Sequence, residues 1–178
     1  MKNSLSIVVL LLSFYGFSQK RAMYNFNVNW TLAYNDNFNI ASALNNEEDN
    51  TFFVAGAFFF RNGVDVEINN FMTIGANIGL DWHPNINLLA IPYYLDTKVA
   101  ISHVDDDKFY VEVGIGKLLK LGSNFENGDY YKIGLGYNIA TGQNFGIVLS
   151  TAFHQKKIKN MVNGRLNSFS IGLGIIFL

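Results

Sequence analysis

The stretch Tyr24-Asn25-Phe26-Asn27-Val28-Asn29-Trp30-Thr31-Leu32-Ala33-Tyr34 sets every large apolar or aromatic side chain on an even position and every amide, hydroxyl or methyl on an odd one. A period of two puts those two sets on opposite faces of a β-strand, whereas a helix would scatter the greasy set around its circumference. The same phase returns along the chain. Met72, Ile74, Ala76, Ile78, Leu80 and Trp82 alternate with Thr73, Gly75, Asn77, Gly79 and Asp81; Phe109, Val111, Val113 and Ile115 alternate with Tyr110, Glu112, Gly114 and Gly116. Tyr131 to Ile139, Phe145 to Phe153 and Phe169 to Phe177 repeat the pattern.

Two segments are less regular. Between Thr51 and Ile68 the face of Phe52, Val54, Phe58, Phe60, Val64, Val66 and Ile68 is apolar, but Phe53 and Phe59 break the polar side. This reads as one long strand, or a strand with a bent extension at Arg61, Asn62 and Gly63. Between Leu89 and Ile101 the alternation holds, but Pro92 has no N–H to give a ladder, which predicts a local bulge. The count is eight strands, an even number at the lower limit for bacterial membrane barrels.

The face opposite the greasy one decides what covers the strands. Only 15% of the 178 residues are charged, while aromatics also reach 15%, with 16 Phe and 9 Tyr. A soluble, lipocalin-like barrel needs a charged exterior. Here the second face is mainly Gly, Ala, Ser, Thr and Asn, which suits a crowded lumen. The fold class is therefore all-β, a closed antiparallel up-and-down transmembrane barrel with its greasy stripe toward lipid, since open strands would leave backbone groups unpaired there. Tyr24, Tyr34, Trp82, Tyr93 and Phe177 are candidates for interfacial girdles. A soluble ligand carrier stays as an alternative that detergent-free solubility would favour.

Lys2, the apolar run Leu5 to Phe17, and the small residues Gly16 and Ser18 read as a cleaved signal peptide over residues 1–18, leaving residues 19–178 as the barrel domain. Short turns at Asn69–Asn70, Val104–Asp107 and Thr141–Gln143 alternate with longer connections at Asn35–Asn50, Gly122–Gly128 and Ile158–Arg165; His83–Asn87 is shorter than that alternation leads one to expect. The net charge of −1 gives no footprint for nucleic acid, and the absence of Cys removes disulfides, thiolate metal sites, Cys nucleophiles and a lipoprotein anchor. No cofactor is expected: Gly114, Gly116, Gly134 and Gly136 read as packing glycines, since none follows a strand to open a helix.

Several residues resemble a known group. Phe169, Ile171, Leu173, Ile175 and Phe177 look like the C-terminal insertion signal of outer-membrane proteins, departing from it in the added Leu178. Ile91-Pro92-Tyr93-Tyr94-Leu95-Asp96-Thr97-Lys98 and the hairpin at Gly134-Leu135-Gly136-Tyr137 resemble strands of the small OmpA-like eight-stranded barrels. The resemblance implies an outer-membrane location in a Gram-negative envelope. It also implies assembly by the barrel-assembly machinery, contact with outer-membrane lipid and lipopolysaccharide, and a monomer.

Charges inside a barrel must be paired or wet. Asp96, Lys98, Glu112 and Lys132 fall on the lumen face, and a turn centred on Asp105 sets Lys98 opposite Glu112, which predicts an ion pair between them. The expected role is an envelope-structural or surface-interaction one, through the loops after Tyr34, Leu121 and Lys157. The second reading is a lipid A-modifying enzyme of deacylase or acyltransferase type, because such enzymes occur among eight-stranded barrels. His154 is the candidate base, but the deacylase pattern sets Ser two residues after the His, where this chain has Lys156, and Ser150 lies about 13 Å along the strand. His83 and His103 are placed in connections on opposite rims, too far apart for a metal site. Glu47, Glu48 and Asp49 in the first loop, and Lys156, Lys157, Lys159 and Arg165 around the last, read as solvated loop ends, with divalent cations and lipopolysaccharide as their functional alternatives.

Overall fold

The computed structural model describes residues 22–34, 53–84, 87–104, 106–121, 127–141, 144–158 and 164–177. The expected signal peptide, the acidic loop and Lys159 lie outside them. Eight strands follow in order: β1 (Ala22–Tyr34), β2 (Phe53–Asn69), β3 (Met72–His83), β4 (Leu88–Val104), β5 (Asp107–Leu119), β6 (Gly128–Ala140), β7 (Phe145–Ile158) and β8 (Arg165–Phe177). Each pairs antiparallel with its sequence neighbours, and β8 returns to β1, from Tyr24 opposite Phe177 to Ala33 opposite Ser168.

Closure has a stagger. Stepping across the sheet from Met23 through Asp65, Gly75, Asp96, Gly114, Lys132, His154 and Ser168 returns to β1 at Ala33, ten residues beyond the start. A shear of that size on eight strands tilts them by roughly 40° from the barrel axis. Rows of paired residues therefore climb around the wall, rising from β1 toward β8.

Both ends of the described barrel and the three short turns share one rim, here the terminal rim; the opposite ends of the strands define the loop rim. Local chemistry shapes the turns. The Asn69 side-chain oxygen accepts from the Phe71 amide at 3.1 Å, an Asx turn. Asp107 accepts from the Ala140 amide and the Tyr137 hydroxyl, both at 2.9 Å, tying β5 to β6. On the loop rim Asn87 adopts φ 48°, and its amide donates to Pro84 O at 3.2 Å, which lets β3 and β4 turn in few residues.

The greasy face looks outward. Trp30, Ile78, Leu95, Ile115, Ile133, Ile171 and Leu173 are all exposed, and Asn25, Asn29, Asp65, Asp81 and Glu112 are buried. Trp82, Tyr93, Tyr24 and Phe177 are on the outer face; Tyr24 meets Phe177 with ring centroids 6.1 Å apart, and Phe58 meets Trp82 at 6.2 Å.

β2 follows the first of the two readings of its segment, one long strand with no bend at Arg61–Gly63, which pair in unbroken register with Asn27–Asn25; its irregularities lie at Gly56, skipped in the ladder with β1, and at Ile68, skipped in the ladder with β3. Gly56 holds φ 141°, a conformation that favours glycine. Against expectation, Pro92 does not make a bulge. Pairing with β3 simply lapses between Ile78–Tyr93 and Asp81–Ala90 and resumes in the same register, because the missing N–H costs a bond without adding a residue. The bulge of β4 lies instead between Ala100 and Ser102.

Ile171 stands mid-strand and 62% exposed on the outer face. We expect Ile171→Arg to cost about 2–4 kcal/mol of stability in bilayers, as a charge does near the midplane, and Ile171→Leu to cost almost nothing. Equilibrium urea unfolding in phospholipid vesicles checks both.

Candidate functional site

The inward charges on the described strands form a cluster toward the loop rim, a second group nearer the terminal rim, and one pair at the mouth. The cluster toward the loop rim is built on Arg61 of β2. Its guanidinium donates to Asp81 of β3, to the Phe60 carbonyl at 3.0 Å and to the Tyr130 hydroxyl at 3.3 Å. Asp81 is also 2.8 Å from Lys156 Nζ of β7, and Lys156 lies 3.2 Å from His83 Nε2. His154 joins the group through Tyr130 OH at 2.6 Å from Nδ1 and Ser170 Oγ at 2.7 Å from Nε2.

Phe59 fills the centre. Its ring has no exposed surface, and four polar side chains pack on it: Lys156 Nζ at 4.0 Å, Arg61 Cζ at 4.9 Å, His154 at 5.1 Å and His83 at 5.3 Å. Cations over an aromatic face are stabilised by its quadrupole, more so when desolvated. Leu88, Ala90, Leu118 and Ile158 pack beside Tyr94 and Tyr130 on the other wall. The section is solid.

Glycines make the room. Gly116 sits between Tyr94 and Tyr130 in the ladder, and across that gap the two rings approach to 4.9 Å. A Cβ on Gly116 would lie 2.5 Å from Tyr94 Cα, so a side chain there must displace the backbone.

The second cluster lies nearer the terminal rim. Asp96, Lys98, Glu112 and Lys132 all point inward, as the alternation predicts. Lys98 does sit opposite Glu112 in the ladder, yet they do not form the expected pair. Lys98 binds Asp65 and is 4.0 Å from Asp96, while Glu112 binds Lys132. Long side chains in a closed tube reach across the lumen as readily as along the sheet, and Asp65 of β2 competes for Lys98. At the mouth Lys108 pairs with Glu67. The five inward cations, Arg61, Lys98, Lys108, Lys132 and Lys156, thus face five carboxylates, Asp65, Glu67, Asp81, Asp96 and Glu112. Equal numbers keep the low-dielectric interior from carrying a net charge.

Around this cluster a cavity of about 60 Å³, lined by Asn25, Asn77, Asp96 and Tyr110, extends to Asn70 and Phe71 at the terminal rim. Asp65 Oδ1, Asp96 Oδ1 and Asn25 Nδ2 have no side-chain or backbone partner, and the space has room for a few waters to serve them. Among the described residues no three His, Asp or Glu side chains gather to hold a metal.

The loop-rim cluster lies outside the sequence expectation, which names Asp96, Lys98, Glu112 and Lys132. Lys156 is fully buried against Asp81 and is no solvated loop end, and His83 ends a strand facing inward instead of occupying a connection. His103 likewise falls within β4. Arg61, Asp65 and Asp81 were all on the inward parity of their strands, and that signal was available in the alternation itself. The candidate base His154 contacts Ser170, not Ser150, which instead lies 3.4 Å from Asn29.

Asp81 is the only carboxylate in direct contact with Arg61 and Lys156 among the described residues. We expect Asp81→Ala to cost about 3–5 kcal/mol, because it strands two buried cations. Lys98→Ala is expected to lower the unfolding temperature while leaving single-channel current unchanged, since the solid section above it stays intact; planar-bilayer recording and thermal unfolding read the two effects separately.

No protein-family model matches the chain, and no curated protein matches it in sequence. Solved structures do. The chain is similar to Neisserial surface protein A (NspA), with a TM-score of 0.61 at 9% identity over 90% of this chain and 99% of that one. It is also similar to Ail, the attachment invasion locus protein of Yersinia pestis, with a TM-score of 0.47 at 13% identity over 89% and 98% of the two chains. A de novo designed transmembrane β-barrel matches with a TM-score of 0.42 at 12% identity, over 85% and 94%. The likeness to NspA is one of fold, and the fold is that of the small eight-stranded outer-membrane β-barrels.

Proposed function

We propose that this protein is a non-enzymatic outer-membrane β-barrel with an envelope-structural or surface-interaction role, carried by its outer wall and the loops of the loop rim. The observation that carries this reading is the solid section at Phe59, Arg61, Tyr130 and Lys156, all of them buried. A filled tube offers neither a diffusion path nor a chamber that a lipid substrate can enter. The name of NspA, a surface protein, agrees with such a role. In the same reading residues 1–18 are removed on export. Phe169, Ile171, Leu173, Ile175 and Phe177 then present the outward stripe that the assembly machinery reads, and outer-membrane lipid and lipopolysaccharide surround a monomer.

One contact favours the enzymatic alternative. His154 Nε2 and Ser170 Oγ are 2.7 Å apart, within the reach of a base and its nucleophile. Against it, each is 1% exposed and faces the lumen, where an acyl ester has no approach, and the other nitrogen of His154 is taken by Tyr130 and not by a carboxylate.

Fractionation with heat-modifiable gel migration is expected to find the protein in the outer membrane as a compact, faster-migrating band that slows on boiling. Mass spectrometry of lipid A from a deletion strain should give the same masses as the parent. A change in acyl number that wild-type protein restores and Ser170→Ala does not would establish the enzyme instead.

A further inference from the structure

On the outer wall the charged strand residues are few, and their placement is not scattered. Going through the outward positions of the described strands, the charges are Asp107 at the terminal rim and then Lys117, Asp129, Lys157 and Arg165 toward the loop rim. These last four form one ladder row on four consecutive strands. Lys117 of β5 faces Asp129 of β6, Asp129 faces Lys157 of β7, and Lys157 faces Arg165 of β8.

The row carries two more positive charges than negative, and it is not internally satisfied. None of its four members makes an ion pair with a described residue; the contact shown is Lys157 Nζ at 4.8 Å from the Tyr131 ring. Lys157 and Arg165 stand directly opposite one another, and like charges so placed on adjacent strands destabilise a sheet unless an anion lies between them. Inside the barrel, by contrast, every inward cation has a carboxylate. The wall therefore holds an uncompensated cationic site where the lumen tolerates none.

What lies beside the row identifies the chemistry of its partner. On the same strands, toward the terminal rim, come Ile115 on β5 and, one outward position beyond Tyr131, Gln155 and Asn167, the exposed Ile133, Phe153 and Phe169. Strand tilt makes the row climb by roughly 3 Å per strand, about 9 Å from Lys117 to Arg165, comparable with the depth of a headgroup layer. At the loop-rim side of the row an open groove of about 840 Å³ is lined by Lys117, Lys120, Asp129 and Lys157 together with the lumen-facing Leu118 and Ile158. A soluble anion would have no use for the apolar wall, whereas a lipid phosphate sits directly above its own acyl chains.

The geometry points to a binding site for a phosphate-bearing lipid of the leaflet at the loop rim, its acyl chains on Ile133, Phe153 and Phe169 and its phosphates between Lys117, Lys157 and Arg165. This rests on the membrane-barrel reading and adds a specific ligand class and position to it. Asp129 acts as the repulsive element that sets how the phosphates divide along the row.

The test uses the protein extracted from membranes in detergent and titrated with diphosphoryl lipid A, bound lipid being counted by native mass spectrometry. Wild type is expected to retain it, and the triple variant Lys117→Gln/Lys157→Gln/Arg165→Gln to bind about a hundredfold more weakly, at roughly fivefold per surface charge. Asp129→Asn should bind more tightly than wild type, a gain that misfolding cannot imitate. Dephosphorylated lipid A with the same acyl chains should bind wild type and triple variant alike, and inorganic phosphate should not compete. Equal affinity of wild type and triple variant for diphosphoryl lipid A overturns the site, as does a dimer that only the triple variant loses. Heat-modifiable migration of the same samples keeps the two readings apart. If the band fails to shift, the membrane barrel itself is wrong; if it shifts while the affinities are equal, only the lipid site is.

Discussion

Backbone hydrogen bonding in a medium that offers no partner is the constraint from which the rest of the structure follows. A strand in lipid must pair on both edges along its apolar length, so eight strands have to close on themselves, and the pairing of β8 with β1 removes the last two edges. Closure then fixes the inside. With the shear this register sets, the tube is just wide enough for side chains to fill, and those that point inward meet one another there.

The lumen fills that width with charge instead of grease. Arg61, Asp81 and Lys156, fully buried around Phe59, form a group held by one shared carboxylate, so that removing Asp81 leaves both cations to bear the cost of burial unpaired. The wide use of Asn and Gly along the same face follows from crowding: amides cap the small polar gaps, and glycine positions such as Gly116 leave volume for Tyr94 and Tyr130 to meet. The outer wall obeys a different rule. Lipid accepts apolar side chains without specific pairing, so the Lys117–Arg165 row, which has no internal partner, stands out against it.

Much of the fold was legible in the chain. Alternation gave eight strands and the sense of their faces, and it set Lys98 opposite Glu112 correctly. The site was legible only as a set of inward positions. Arg61, Asp65 and Asp81 share the parity of Asp96 and Glu112, but the alternation says nothing of which charge finds which, because partners such as Arg61 and Tyr130 sit on strands that are not neighbours. Lys156 departs from the sequence expectation because a lysine near a loop is ordinarily solvated, and only the height of β7 against β3 brings it onto Asp81.

By itself the sequence determined which side of every strand meets lipid, since a period of two assigns each residue a face irrespective of its partners. Only the closed tertiary structure decided how the inward charges are matched and where the outward ones align. Both depend on the stagger of the barrel, which brings residues far apart in the chain to one level and is a property of eight strands together, not of any single strand.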